Sequence, residues 1–172
     1  MNIFTIEKNE QGDIDWIASA KALDNYRVVK MILESCQMLS TVLRDQGIED
    51  DLLYKATHAK HPCTLWAAKS SGNFVSLCEH TYAMLEEYTE RFGKKHKSGA
   101  VLDRCLELFD EKNFSWLEIT PPPMAMPDHF KSEDIVESYR RFYASKPRMR
   151  YPKEKIPSWF VEYRGNQEFI VV

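Results

Sequence analysis

The chain has 172 residues, of which 44% are hydrophobic, 12% aromatic and 28% charged, and its formal net charge is −3. That length suits one domain able to bury most of the surface its unfolded form exposes, and that composition excludes a disordered chain. A membrane span is excluded too, because no apolar run approaches the roughly 20 residues a bilayer crossing needs.

The opening residues Met1-Asn2-Ile3-Phe4-Thr5 lack the basic region, apolar stretch and cleavage site of a secretory signal, so a cytoplasmic protein is expected. Residues 16–23 read as a short helix. Residues 24–45 carry the strongest helical pattern, with Asp24 as the N-cap. Gly47 and the acidic run Glu49-Asp50-Asp51 make a loop, and Pro62 stands where a helix can begin in its first turn. A helix over about 63–70 is predicted to break at Ser71-Gly72, and the next, over 73–92, to end at Gly93. Another covers 98–111. Pro121-Pro122-Pro123 and Pro127 then impose an extended connector, since successive prolines exclude helix-interior geometry. Ser132-Glu133-Asp134 opens a helix to about 144, and the chain beyond Pro147 is basic and interrupted by Pro152 and Pro157. Residues 165–172 read equally as a strand, a docked tail or a flexible one. The pattern predicts a single all-α domain over 1–172, a compact multi-helix unit with a Pro-rich connector and a basic C-terminal segment.

Cys36, Cys63, Cys78 and Cys105 are widely spaced without a C-x-x-C pair, as expected of reduced thiols acting as small hydrophobes rather than of a disulfide framework. The cluster His58-x-x-His61-Pro62-Cys63 is followed by no second ligand pair at usable spacing, so neither metal nor cofactor is expected; His58 and His61 read as loop residues or substrate contacts.

The helix over 24–45 has an unusual face. At about 100° per residue, Arg27, Lys30, Glu34, Gln37 and Thr41 fall on one narrow stripe, while Val28, Val29, Ile32, Leu33, Cys36, Leu39 and Leu43 cover the broad face opposite. Charged groups on such a helix must pair with one another or face a wet cleft, because uncompensated burial is costly. In a cleft, Glu34 beside cations is placed as an acid/base group.

Charge is also uneven along the chain. Residues 1–54 hold five Lys/Arg against ten Asp/Glu, whereas residues 139–155 hold seven Lys/Arg, including Lys146, Arg148 and Arg150, against Glu154 alone. Interleaved with Tyr139, Phe142, Tyr143 and Tyr151, that basic stretch reads either as a surface balancing acidic segments elsewhere or as a phosphate-binding footprint.

The pattern Leu23-Asp24-x-x-Arg27-x-x-Lys30-x-x-x-Glu34-x-x-Gln37-x-Leu39 resembles the first long helix of pyrimidine-dimer DNA glycosylases of the endonuclease V type, and His61-Pro62 followed by Trp66 resembles their next element. The runs Val28–Glu34 and Arg91–Lys97, with Ala125–Asp128 and Val136–Arg140, also resemble a widespread group of phage proteins, which places the chain in a host-cell cytoplasm. The glycosylase resemblance implies a helical domain that flips a nucleotide from duplex DNA, attacks the sugar C1′ with an amine and cuts the strand by β-elimination through a Schiff base. It puts Glu34 on the catalytic glutamate, and Arg27 and Lys30 on the positions facing DNA. The family's nucleophile is an N-terminal amine exposed by Met removal, but Asn2 here leaves Met1 in place. Either the Met1 amine serves, or Lys30 does, or the lyase step is lost.

Two functions are thus expected as alternatives. One is a DNA glycosylase/AP lyase using Glu34, Lys30 and Met1, with Asn2, Arg27, Gln37, His58, His61, Arg148 and Arg150 on the substrate. The other is a non-catalytic phage-type protein that binds a nucleotide or a host partner in the same cleft.

Overall fold

The structure is a computed structural model describing all 172 residues. Seven helices carry the fold: α1 (Trp16–Lys21), α2 (Asn25–Asp45), α3 (Pro62–Lys69), α4 (Ser71–Phe92), α5 (Gly99–Glu107), α6 (Ile135–Ala144) and α7 (Phe160–Arg164). The only sheet pairs β1 (Arg150–Tyr151) in parallel with β2 (Ile170–Val171), with Arg150 opposite Ile170. The domain is all-α, and none of its helices is long and apolar enough to cross a membrane.

Local chemistry sets most helix ends. The Asp24 carboxylate accepts from the Tyr26 amide at the start of α2, Pro62 occupies the first turn of α3, and Gly93 closes α4 at φ 62°, a backbone conformation that a side chain would strain. The break between α3 and α4 falls at Ser70, one residue before the predicted Ser71-Gly72. Its hydroxyl caps Asn73 and donates to the Glu118 carbonyl. Gly72 lies inside α4, where a Cβ would meet the Leu117 carbonyl oxygen at 2.5 Å; glycine is there for close approach, not to stop the helix. The helix expected over 98–111 stops at Glu107 and is followed by a short 3₁₀ turn at Glu111–Asn113. Residues 165–172 dock, since the amides of Ile170 and Val172 donate to the carbonyls of Met149 and Tyr151.

α2 runs through two apolar clusters. Its first half (Val28, Met31, Ile32) packs with Phe4, Tyr143 and Tyr151. Its second half (Cys36, Leu39, Leu43) packs with Trp66, Phe74 and Leu102. Each such side chain contributes roughly 1.5–3 kcal/mol when withdrawn from water. The four cysteines are buried free thiols, and burial pushes Cys63 up to about 11. The face of α2 predicted as uniformly apolar is incomplete, for Val29 and Leu33 remain exposed.

Asp24 ties the two halves of the chain together. It is fully buried and accepts from the Tyr143 hydroxyl at 2.9 Å and the Arg150 amide at 3.2 Å. Its own amide donates to the same hydroxyl at 2.7 Å. The capping residue of α2 thereby fixes where α6 and β1 lie against it, and the C-terminal basic segment is brought to the seam.

Candidate active site

Three short pieces of chain build the site. α2 supplies Arg27, Lys30 and Glu34, spaced to share one side. The N-terminal segment is pinned beside them because Ile3, Phe4 and Ile6 are buried in the core. The loop after α6 supplies Lys146. Together with Asn2 and Tyr26, and with Phe4 and Met31 as apolar walls, these groups line a cavity of about 110 Å3.

At its centre stands Glu34. Lys30 Nζ lies 3.0 Å from Oε1, and the Met1 amine lies 3.8 Å from the Oε2 atom. The Met1 side chain is 4% exposed and that of Glu34 14%, whereas that of Lys30 is 53% exposed. Two acceptors in the cavity wall, Glu34 Oε2 and Asn2 Oδ1, are buried without a hydrogen-bond partner. Buried acceptors are normally satisfied, so these two stand out; the nearest charged donor to Glu34 Oε2 is the Met1 amine. Arg27 is used differently. Its guanidinium meets Asp24 at 3.4 Å and donates to the Pro147 carbonyl at 2.9 Å, so it does not neutralise Glu34; it clamps the loop carrying Lys146.

Electrostatics concentrate positive charge here. Burial, then the neighbouring charges of Arg27 and Lys30, bring Lys146 down to about 8. His61 sits below its ordinary value through burial and then the charge of the N-terminal amine. Its Nδ1 accepts from the Cys63 amide and caps α3, so it stands near the amine without lining the cavity.

The remaining expected contacts separate. Gln37 does not line the cavity, because three residues past Glu34 the helix has carried the stripe beyond the N-terminal segment; there its carbonyl accepts from Thr41. His58 does not line it either, being turned onto the Thr57 hydroxyl at 2.7 Å. Arg148 and Arg150 line an adjoining apolar depression of about 590 Å3 with Val29, Phe92 and Ile170, and Tyr26 belongs to both. Neither guanidinium has an ion-pair partner, unlike Arg140 (Glu7), Arg141 (Glu137) and Lys155 (Glu87 and Glu90). Within the basic stretch, Arg140, Arg141 and Lys155 are thus paired, while Lys146, Arg148 and Arg150 are unpaired and line the cavity or the depression beside it. Tyr26 and Lys146 were not singled out as site residues from the sequence. Tyr26 carried a signal, since it precedes Arg27 at the start of the seam; Lys146 carried none beyond its membership of the basic stretch. A depression of about 760 Å3 between α4 and α5 shares no residue with the seam.

The cavity thus sets an amine against a carboxylate, with unpaired cations on the adjoining surface. The family model for pyrimidine dimer DNA glycosylase matches residues 1–99, more than half of the chain, and the protein belongs to that family. Membership brings a DNA glycosylase-like role, with DNA as the substrate. No curated relative and no solved structure matches the chain. The matched span contains Met1, Asn2, Arg27, Lys30 and Glu34, and ends before Lys146, Arg148 and Arg150.

Proposed function

We propose that the protein is a DNA glycosylase/AP lyase in which the Met1 amine is the nucleophile and Glu34 moves the protons. The carrying observation is the amine held inside the cavity 3.8 Å from a buried, otherwise unpartnered carboxylate oxygen. Lys30, the other amine on Glu34, is already paired at 3.0 Å and has half its side chain in solvent, which suits a counter-ion on the DNA side.

In this reading the neutral Met1 amine attacks C1′ of a flipped nucleotide. The C1′–N bond to the base breaks, and the base leaves with its electron pair and a proton. The sugar ring opens to give an iminium linking C1′ to the Met1 nitrogen. Loss of a C2′ proton then expels the 3′ phosphate by β-elimination. Glu34 is close enough to take a proton from the amine and return it, the general acid/base task for which a carboxylate is suited. The cavity is too small for a whole nucleotide, since ligand sites of that size run to several hundred Å3. It fits the sugar and its reacting carbon, with Arg148 and Arg150 along the approaching backbone.

Borohydride reduction tests this directly. With duplexes carrying ultraviolet photoproducts, modified bases or abasic sites, the expected result is strand cleavage and a reduced adduct whose peptide map places the sugar on the Met1 nitrogen. One additional residue ahead of Met1, left after tag removal, should abolish both. An adduct on Lys30 would reassign the nucleophile, and the absence of cleavage and adduct on every duplex would sink the lyase reading.

A further inference from the structure

The C-terminal segment adds a group to the cavity that belongs to no matched part of the chain. Lys146 lines it, and its Nζ lies 3.4 Å from the centroid of the Phe142 ring, in neither an ion pair nor a hydrogen bond. The backbone bearing it is held from several sides. Arg27 donates to the Pro147 carbonyl at 2.9 Å, Arg164 to the Lys146 carbonyl at 2.7 Å, and the Arg150 amide to Asp24 at 3.2 Å. A lysine on so firmly clamped a loop is positioned rather than free to range through solvent.

Charge counting shows what the position is suited to. The cavity holds the Met1 amine, Lys30 and Lys146 against Glu34 alone, because Arg27 is matched by Asp24. Three cationic groups around one carboxylate leave an excess that an incoming anion would neutralise.

We propose that Lys146 is a phosphate-binding residue of this site, its ammonium donating to a non-bridging oxygen of the phosphate beside the sugar that Met1 attacks. The assignment rests on the proposed reaction at Met1 for its geometry, but the phosphate contact can be measured without any turnover. The titratable and charged groups that share the cavity with Lys146 are Tyr26, Arg27, Lys30 and Glu34 from α2 and Met1 from the N-terminal segment, while Arg164 meets its carbonyl. With Lys146 brought down to about 8 in the free protein, a bound phosphate raises it again. The contact is therefore fully present below pH 8 and is lost as pH rises through and above that value. Arginine at this position would keep the charge across the whole range.

The test is binding of a duplex with a central tetrahydrofuran abasic analogue, followed by anisotropy from pH 6.5 to 9.5, for the wild type, Lys146→Met and Lys146→Arg. A second arm replaces the duplex with the free nucleotide dTMP. Wild-type affinity should hold to about pH 8 and then fall toward the level of Lys146→Met, by about tenfold in all. Lys146→Met should bind about tenfold more weakly at pH 7, with the added pH dependence gone and a salt slope shallower by about one unit. Lys146→Arg should bind as the wild type does at pH 7 and lose the part of the alkaline fall that Lys146 supplies. A Lys146→Met protein matching the wild type in affinity and pH profile overturns the assignment, as does a Lys146→Arg protein whose alkaline fall is as large as the wild type's. Binding of dTMP but not of the duplex, with the same Lys146 dependence, keeps the phosphate subsite and removes the DNA reading. Binding of neither removes both. Lys146-dependent duplex binding, with no borohydride adduct on duplexes that carry reactive lesions or abasic sites, keeps the subsite and removes the reaction alone.

Discussion

Replacing Glu34 with Gln separates a catalytic carboxylate from a structural counter-ion. The substitution preserves shape and most hydrogen bonding while removing the exchangeable proton. The structural loss follows from the two contacts. Lys30 is half in solvent, and an exposed i,i+4 pair of this kind contributes about 0.3–0.5 kcal/mol. At 3.8 Å and an effective dielectric near 20, attraction between the Met1 amine and Glu34 amounts to about 4 kcal/mol, most of it offset because an uncharged Gln no longer has to be desolvated. The net loss should be about 1–2 kcal/mol, a fall in Tm of about 2–8 °C for a domain of this size. Strand cleavage under single-turnover conditions, corrected for the folded fraction, should drop by about two to four orders of magnitude. Binding to abasic-analogue DNA should persist or tighten, because a negative charge has gone from beside the phosphates. Circular dichroism melts together with gel-resolved cleavage read both quantities. A protein that loses more than about 10 °C of Tm while its folded fraction cleaves normally would refute the catalytic role.

Removing the charges of Arg148 and Arg150 should weaken DNA binding and flatten its dependence on log salt by about one unit per lost phosphate contact; an unchanged slope would detach them from DNA. His80 is fully buried, its Nδ1 lies 2.8 Å from the Trp16 carbonyl, and burial brings it down to about 4. Between pH 6.5 and 4 the unfolded chain therefore binds the additional proton, so stability falls as pH drops through that window, by about 2–3 kcal/mol between pH 7 and 4.5. In urea unfolding at those two pH values, His80→Asn should lose that share of the pH dependence while keeping a donor for Trp16.

Helix identity and the core of the site were legible along the chain because the information is local. Asp24 as a cap, Pro62 in a first turn and Gly93 in a left-handed turn each act within a few residues. The α-helical period alone placed Arg27, Lys30 and Glu34 on one side of α2. What surrounds that stripe was decided by long-range packing. The sequence shows Asp24 as a cap, but only the fold shows it buried under Tyr143 and bonded to the amide of Arg150, 126 residues away. Because Asp24 holds the C-terminal loop there, Arg27 is spent on Asp24 and Pro147, Lys146 enters the cavity, and Arg148 and Arg150 open beside it. Arg140, Arg141 and Lys155 come from the same basic stretch and end in ion pairs away from the cavity, a division that composition does not reveal. Period and spacing say which residues share a helix face or a loop, while the cavity forms only where the N-terminal segment and the loop after α6 cross α2, and that crossing is set by burial of Ile3, Phe4, Tyr143 and Tyr151 in the core.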